Sequence, residues 1–290
     1  MPSSHPAERR LDGDLLRSWP LPDDDHDDKR GRGTVLVVGG SDRTPGAALL
    51  AGIAALRTGA GRLQIATSRA SATALAVAVP EALVMAFDDD RRPTIADLVG
   101  GADAIVVGPG LTDRDQAHDL VALVLEGAAE DAVVVVDAIA IDALAALRPA
   151  TGSLHGRLLL TPNREELRSL LGEDAGDDEG GGDGDDRLEA VAAVRHGAAV
   201  VSFECVAAAD GRVWIDAADV RGLGTSGAGD VLAGAAGGLA ARCGDTAQAA
   251  CWAAVTHRLA AQRLSRAVAS IGYLARQLAD ELAPALAELT

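Results

Sequence analysis

A chain of 290 residues with a formal net charge of −17 repels polyanions, which excludes nucleic acid and anionic membrane as partners of its surface. Its core has to be aliphatic: 48% of the residues are hydrophobic but only 2% aromatic, and 33 glycines permit the close approach that suits helices laid on a parallel sheet. Lys29 is the only lysine, so lysine-based catalysis is excluded as well.

Cys205, Cys243 and Cys251 are odd in number and lack metal-ligand spacing, so they read as reduced core thiols. No stretch is long and apolar enough to span a bilayer, and the N-terminus has no apolar leader core. These features together predict a cytoplasmic protein with no membrane contact.

Residues 1–32 are polar and charged, with the run Asp23-Asp-Asp-His-Asp-Asp28, and predict a flexible arm. A single catalytic domain is expected over 33–290. Thr34-Val-Leu-Val-Val38 reads as a buried parallel strand that Gly39-Gly40-Ser41 turns into a loop. The small-residue segment Gly46 to Arg57 predicts a helix, and Arg62 to Thr67 the next strand, which makes a βαβ unit. Strands follow at Ala104–Val107, Ala132–Val136 and Leu158–Leu160, with helices over Asp113–Glu126, Ile141–Leu147 and Leu167–Leu171. Their carboxyl ends carry Gly108-Pro-Gly110, Asp137 and Thr161-Pro-Asn163, the edge at which an open α/β sheet binds ligands. The acidic glycine-rich run 173–186 predicts a mobile surface loop. Ala198–Phe203 and Arg212–Ile215 predict a strand pair across Asp210-Gly211, and helices are expected at Val231–Arg242, Thr246–Leu264 and Ile271–Leu289.

The stretch Gly222-Leu-Gly-Thr-Ser-Gly-Ala-Gly-Asp230 is a glycine-dense turn at a helix start. Bare amides and the positive helix end suit a phosphate-like anion. Asp230 is out of place beside an anion unless it takes a proton from a hydroxyl that then attacks a phosphoryl group. The alternative is that Asp230 caps a helix begun by Val231. His257, among apolar neighbours, reads as a structural histidine.

The order of these elements with a Gly-Ala-Gly-Asp turn near the C-terminus resembles the ribokinase-like superfamily, which implies a three-layer α/β/α sandwich on a mostly parallel sheet. Val35 to Ser68, Pro80-Glu81, Gly108-Pro-Gly-Leu111, Leu160-Thr-Pro162 with Glu166, Gly224 to Gly234 and Val255-Thr-His257 resemble the NAD(P)H-hydrate dehydratase family more closely. That resemblance implies nucleotide repair: loss of water from (S)-NAD(P)H-hydrate at the expense of ADP or ATP with Mg2+. It implies Asp230 as the catalytic base, and Gly46, Ala47, Gly110 and Asn163 beside it as contacts of the damaged nucleotide. Thr225, Gly227, Ala228 and Gly229 would hold the phosphoryl group, and Glu166 would reach Mg2+ through water. A homo-oligomer working with an epimerase on a separate chain is also implied.

Three departures stand out. The family's LTPHPGE is here Thr161-Pro-Asn163-Arg-Glu-Glu166, its DADAL-like turn is Asp137-Ala-Ile-Ala-Ile141, and its nucleotide-contacting Lys-Gly-x-x-Thr is absent near Val200–Cys205. The last predicts weak binding of ADP and ATP unless an arginine such as Arg62 or Arg221 reaches in. A small-alcohol kinase and a weakly catalytic nucleotide binder remain as alternatives.

Overall fold

Val35 and Val37 enter one apolar core while Leu36 and Val38 enter the other, all four fully buried, as period-two side chains must in a strand covered on both faces. The computed structural model describes residues 8–22, 31–89, 93–147, 152, 154–172, 187–202, 205–216 and 220–290. In chain order it contains β1 (Arg9–Arg10), α1 (Gly13–Ser18), β2 (Thr34–Val38), α2 (Pro45–Arg57), β3 (Arg62–Thr67), α3 (Arg69–Ala78), β4 (Ala82–Ala86) and α4 (Ile95–Gly100). There follow β5 (Ala104–Val107), α5 (Arg114–Gly127), β6 (Val133–Val136), α6 (Ile139–Ala146), β7 (Leu158–Leu160), α7 (Arg164–Leu171) and α8 (Leu188–His196). The C-terminal part holds β8 (Ala198–Val201), β9 (Cys205–Ala207), β10 (Val213–Ile215), a 3-10 turn at Arg221–Gly224, α9 (Ala228–Cys243), α10 (Thr246–Ala267) and α11 (Ala275–Leu289).

The strands form one sheet in the order β1-β10-β9-β8-β7-β6-β5-β2-β3-β4, parallel throughout except for β9. Buried residues of α1 to α3 and α9 to α11 cover one face, and those of α4 to α8 the other. This is the expected three-layer sandwich. After β4 the chain returns to the far side of β2, so the crevice at the carboxyl ends of β2 and β5 is a topological switch point.

The structure corrects several expectations. Residues 8–22, expected within a loose arm, are built into the fold: β1 pairs with β10, Leu11, Leu16 and Leu21 are buried, and the Trp19 carbonyl accepts from Trp252 Nε1 (2.9 Å) and Gln248 Nε2 (3.1 Å). Trp19 also stacks at 5.9 Å on Trp214. The turn at Asp210-Gly211 joins β10 to β9, whereas β8 ends at Val201 and pairs separately with β9. Between Ser68 and Ala104, where the sequence analysis assigns no element, α3, β4 and α4 complete the sheet edge. The acidic run 173–186, Lys29 and Glu204 lie outside the described residues.

One packing contact fixes the site. A Cβ on Gly234 would lie 2.1 Å from the Ala51 carbonyl oxygen, and one on Gly238 would lie 2.4 Å from that of Ala55, so α9 lies backbone to backbone on α2. On its sheet side, a Cβ on Gly237 would meet Val106 at 2.4 Å. These glycines seat α9 against α2 and β5, with its N-terminus at the carboxyl edge of the strands.

Candidate active site

The helix that carries Asp230 begins earlier than its sequence suggests. Its N-cap is Gly227 at φ +90°, and Ala228, Gly229 and Asp230 form its first turn. Asp230 therefore caps nothing, and its carboxylate makes no hydrogen bond with the described residues. Gly227 is demanded by its φ of +90°, and a Cβ there would also lie 2.7 Å from Leu50. Gly229 is not: a Cβ would meet nothing within 4 Å, so its bare backbone faces open space. The amides of Gly229 and Asp230 find no acceptor among the described residues, as expected for a helix's first N–H groups. Ala228, expected to offer its amide to a phosphoryl group, already donates to the Thr225 carbonyl at 3.1 Å in the tight turn. The Thr225 hydroxyl likewise donates to the Tyr273 carbonyl at 3.3 Å, which ties the turn to the start of α11.

His257 on α10 is buried, and its Nε2 donates to the Ala228 carbonyl at 3.0 Å. Burial lowers its pKa to about 4, so the ring is neutral and anchors the first turn of α9.

Beside this turn a cavity of about 210 Å³ opens at the ends of β6, β7 and β8. Asp137 and Ala138 reach it from β6, and Thr161, Pro162 and Asn163 from β7. Glu166 enters from α7, Val201 and Ser202 from the end of β8, and Gly227, Gly229, Asp230 and Leu232 from α9 and its turn. Neither lysine nor arginine lines it among the described residues. Burial is the main cause that pushes Asp137 up to about 7, against a 2.6 Å hydrogen bond from Thr161 Oγ1 and with the Asp230 and Glu166 charges adding to the rise. Burial likewise raises Asp230 to about 6. An acid group near 6 with no partner is poised to take a proton at neutral pH.

Asn163 and Glu166 form a capping box on α7. Asn163 Oδ1 accepts from the amides of Glu165 and Glu166, and Glu166 Oε2 accepts from Asn163 N at 2.9 Å. Half of each side chain is thus committed to the helix, leaving the Asn163 amide nitrogen and one Glu166 oxygen for the cavity. No group of three or more His, Cys, Asp or Glu side chains is arranged to hold a metal alone among the described residues.

Gly46, Ala47 and Gly110 are brought together on the switch-point side. The Gly110 carbonyl accepts from Thr44 Oγ1 at 2.8 Å, and a Cβ on Gly110 would lie 2.8 Å from the Ala47 Cβ. A Cβ on Gly46 would meet nothing within 4 Å, so the fold does not require glycine there. None of these three lines the cavity. Arg62 is removed from consideration: it opens β3 opposite Thr34, at the far end of the sheet. Arg221 stands exposed in the 3-10 turn leading to Thr225. Asp137, legible in the sequence at a strand end and at the start of the DADAL-like turn, received no role there. The valine run before it was the available signal.

Residues 35–284 match the family model for NAD(P)H-hydrate dehydratase. The chain belongs to the NAD(P)H-hydrate dehydratase family. It is 37% identical to the ADP-dependent (S)-NAD(P)H-hydrate dehydratase of Xanthomonas campestris, over 96% of each chain. It is 33% identical to a bifunctional NAD(P)H-hydrate repair enzyme of Thermosynechococcus vestitus, and there it spans 55% of the relative's length. The fold is similar to that of the Bacillus subtilis ADP/ATP-dependent NAD(P)H-hydrate dehydratase co-crystallised with ATP and Mg2+. The TM-score is 0.76 at 24% identity, with 98% of this chain and 99% of that chain covered. A ribokinase-like superfamily protein of Enterococcus faecalis gives a TM-score of 0.81 at 21% identity, with 98% and 96% covered.

Proposed function

We propose that this chain removes water from (S)-NAD(P)H-hydrate at the expense of ADP, releasing NAD(P)H, phosphate and AMP. The observation that carries the reading is Asp230, a half-buried carboxylate that, like the amides beside it, has no hydrogen-bond partner among the described residues. Hydroxide leaves a ring carbon poorly, and phosphorylation of the ring hydroxyl turns it into a good leaving group. Asp230 takes the hydroxyl proton as the oxygen attacks the terminal phosphoryl group. The amides of Gly229 and Asp230 face that group, with the Gly227 turn leaving room for it, and stabilise charge there without reorganising. The ring nitrogen lone pair then expels phosphate.

Gly46, Ala47 and Gly110 hold the nicotinamide end, with Gly46 facing open space where only a ligand would require glycine. Asn163 borders both ligands. Mg2+ fits the cavity through Glu166, which lines it and keeps one carboxylate oxygen outside the capping box, a hard donor for a hard cation. Glu166 would hold it through water, with nucleotide oxygens completing its shell, and the ion would neutralise charge on the phosphates. The epimerase that supplies the S form acts from another chain. The enzyme works in the cytoplasm as a homo-oligomer.

Phosphorus NMR of the reaction mixture tests the reading. Free phosphate and AMP appearing with NAD(P)H support it, whereas a stable phosphorylated organic product would make the protein a kinase.

A further inference from the structure

Ala138 violates several local preferences at once. Among the described residues it is the one non-glycine with a positive φ, at +54° with ψ −136°. There the Cβ of an L-residue is crowded and glycine is not. It is also the N-cap of α6, with no side-chain oxygen for the helix's first amides, and glycine outranks alanine at that position. Glycine at 138 would therefore stabilise the fold even after its greater freedom in the unfolded chain is counted.

The interior does not ask for the methyl. Ala138 belongs to neither apolar core and is only half-buried, and the surface it presents lines the cavity beside Pro162 and Val201. A residue that breaks local rules without helping the core is expected at a functional site.

We propose that the Ala138 methyl, with Pro162 and Val201, forms an apolar wall against which the adenine nucleotide packs, retained at a cost in folding stability. The cavity is the nucleotide side of the crevice because the turn amides border it and the Gly46, Ala47 and Gly110 cluster does not. The inference rests on the dehydratase reading.

The test is Ala138→Gly, with its Tm, its ADP dissociation constant in Mg2+ by calorimetric titration, and its KM for the hydrate. Release of the strain raises Tm by roughly 2–4 °C. Loss of one buried methyl weakens ADP binding about fourfold and leaves the hydrate KM unchanged. An unchanged ADP dissociation constant, or a lower Tm, would overturn the wall. Wild-type protein that turns over the hydrate but shows weakened hydrate KM in the variant would also overturn it, by moving the methyl to the other ligand. Wild-type protein that binds no ADP contradicts the reading of the cavity itself, and the wall with it.

Discussion

Asp230 combines a geometric and an electrostatic condition. It stands in the first turn of α9 without a partner, and burial holds its pKa near 6. Asp230→Asn keeps size and polarity but cannot accept a proton, and we expect turnover to fall by at least about 10²-fold, since general-base contributions run ~10²–10⁴. Its folding should not suffer. The folded pKa lies above the ordinary aspartate value of 3.8, so the folded chain binds more protons than the unfolded one between those values, and stability is lost as pH rises through that window. Removing the charge takes this cost away, and the variant's Tm at neutral pH should equal or exceed the wild type's. The same pKa sets an acid limb: kcat/KM should climb with pH and level off above about 6, and a limb that ignored Asp230→Asn would point to another base. At this scale the sequence exposed Asp230 well, because a carboxylate among glycines is out of place. It did not expose the commitment of Asn163 and Glu166 to a capping box, since the same spacing serves a helix and a metal shell.

Among elements, the contact of α9 with α2 decides where the catalytic turn sits. Gly234→Ala places a methyl within 2.1 Å of the Ala51 carbonyl, where backbone must move. Alanine is the better helix former by about 1 kcal/mol. Overpacking of a close contact costs about 1–3 kcal/mol and wins. We expect a lower Tm together with reduced turnover, because the displaced helix carries Asp230; thermal denaturation and kcat measured together check it. An unaltered Tm would mean that the two helices part freely. Long valine and alanine runs made β2, β6 and α2 legible, whereas Arg69–Ala78 was left unassigned, and the two residues of β1 are too few to carry a period. The start of α9 was missed by three residues because glycines at its first turn read as loop.

In the whole molecule, the N-terminal segment and the catalytic turn are joined through β10 and α10. Truncation of residues 1–22 would strip buried Leu11, Leu16 and Leu21 from the core and the Trp19 carbonyl from Trp252 and Gln248. At about 1.5–3 kcal/mol per buried leucine, the loss rivals total domain stability, and soluble expression with a cooperative transition should disappear. The charged composition around Leu11 to Leu21 hid this clasp, because its partners Trp214 and Trp252 lie some two hundred residues away in sequence. The three-layer arrangement was legible only through the family resemblance, and the order of strands was not read at all. The direct measurement of the central claim is absorbance of the regenerated dihydropyridine when the protein meets (S)-NADH-hydrate, ADP and Mg2+. A dehydratase gives a rise that requires ADP and is lost in Asp230→Asn, whereas folded wild-type protein that leaves the hydrate unchanged at saturating ADP would not be one.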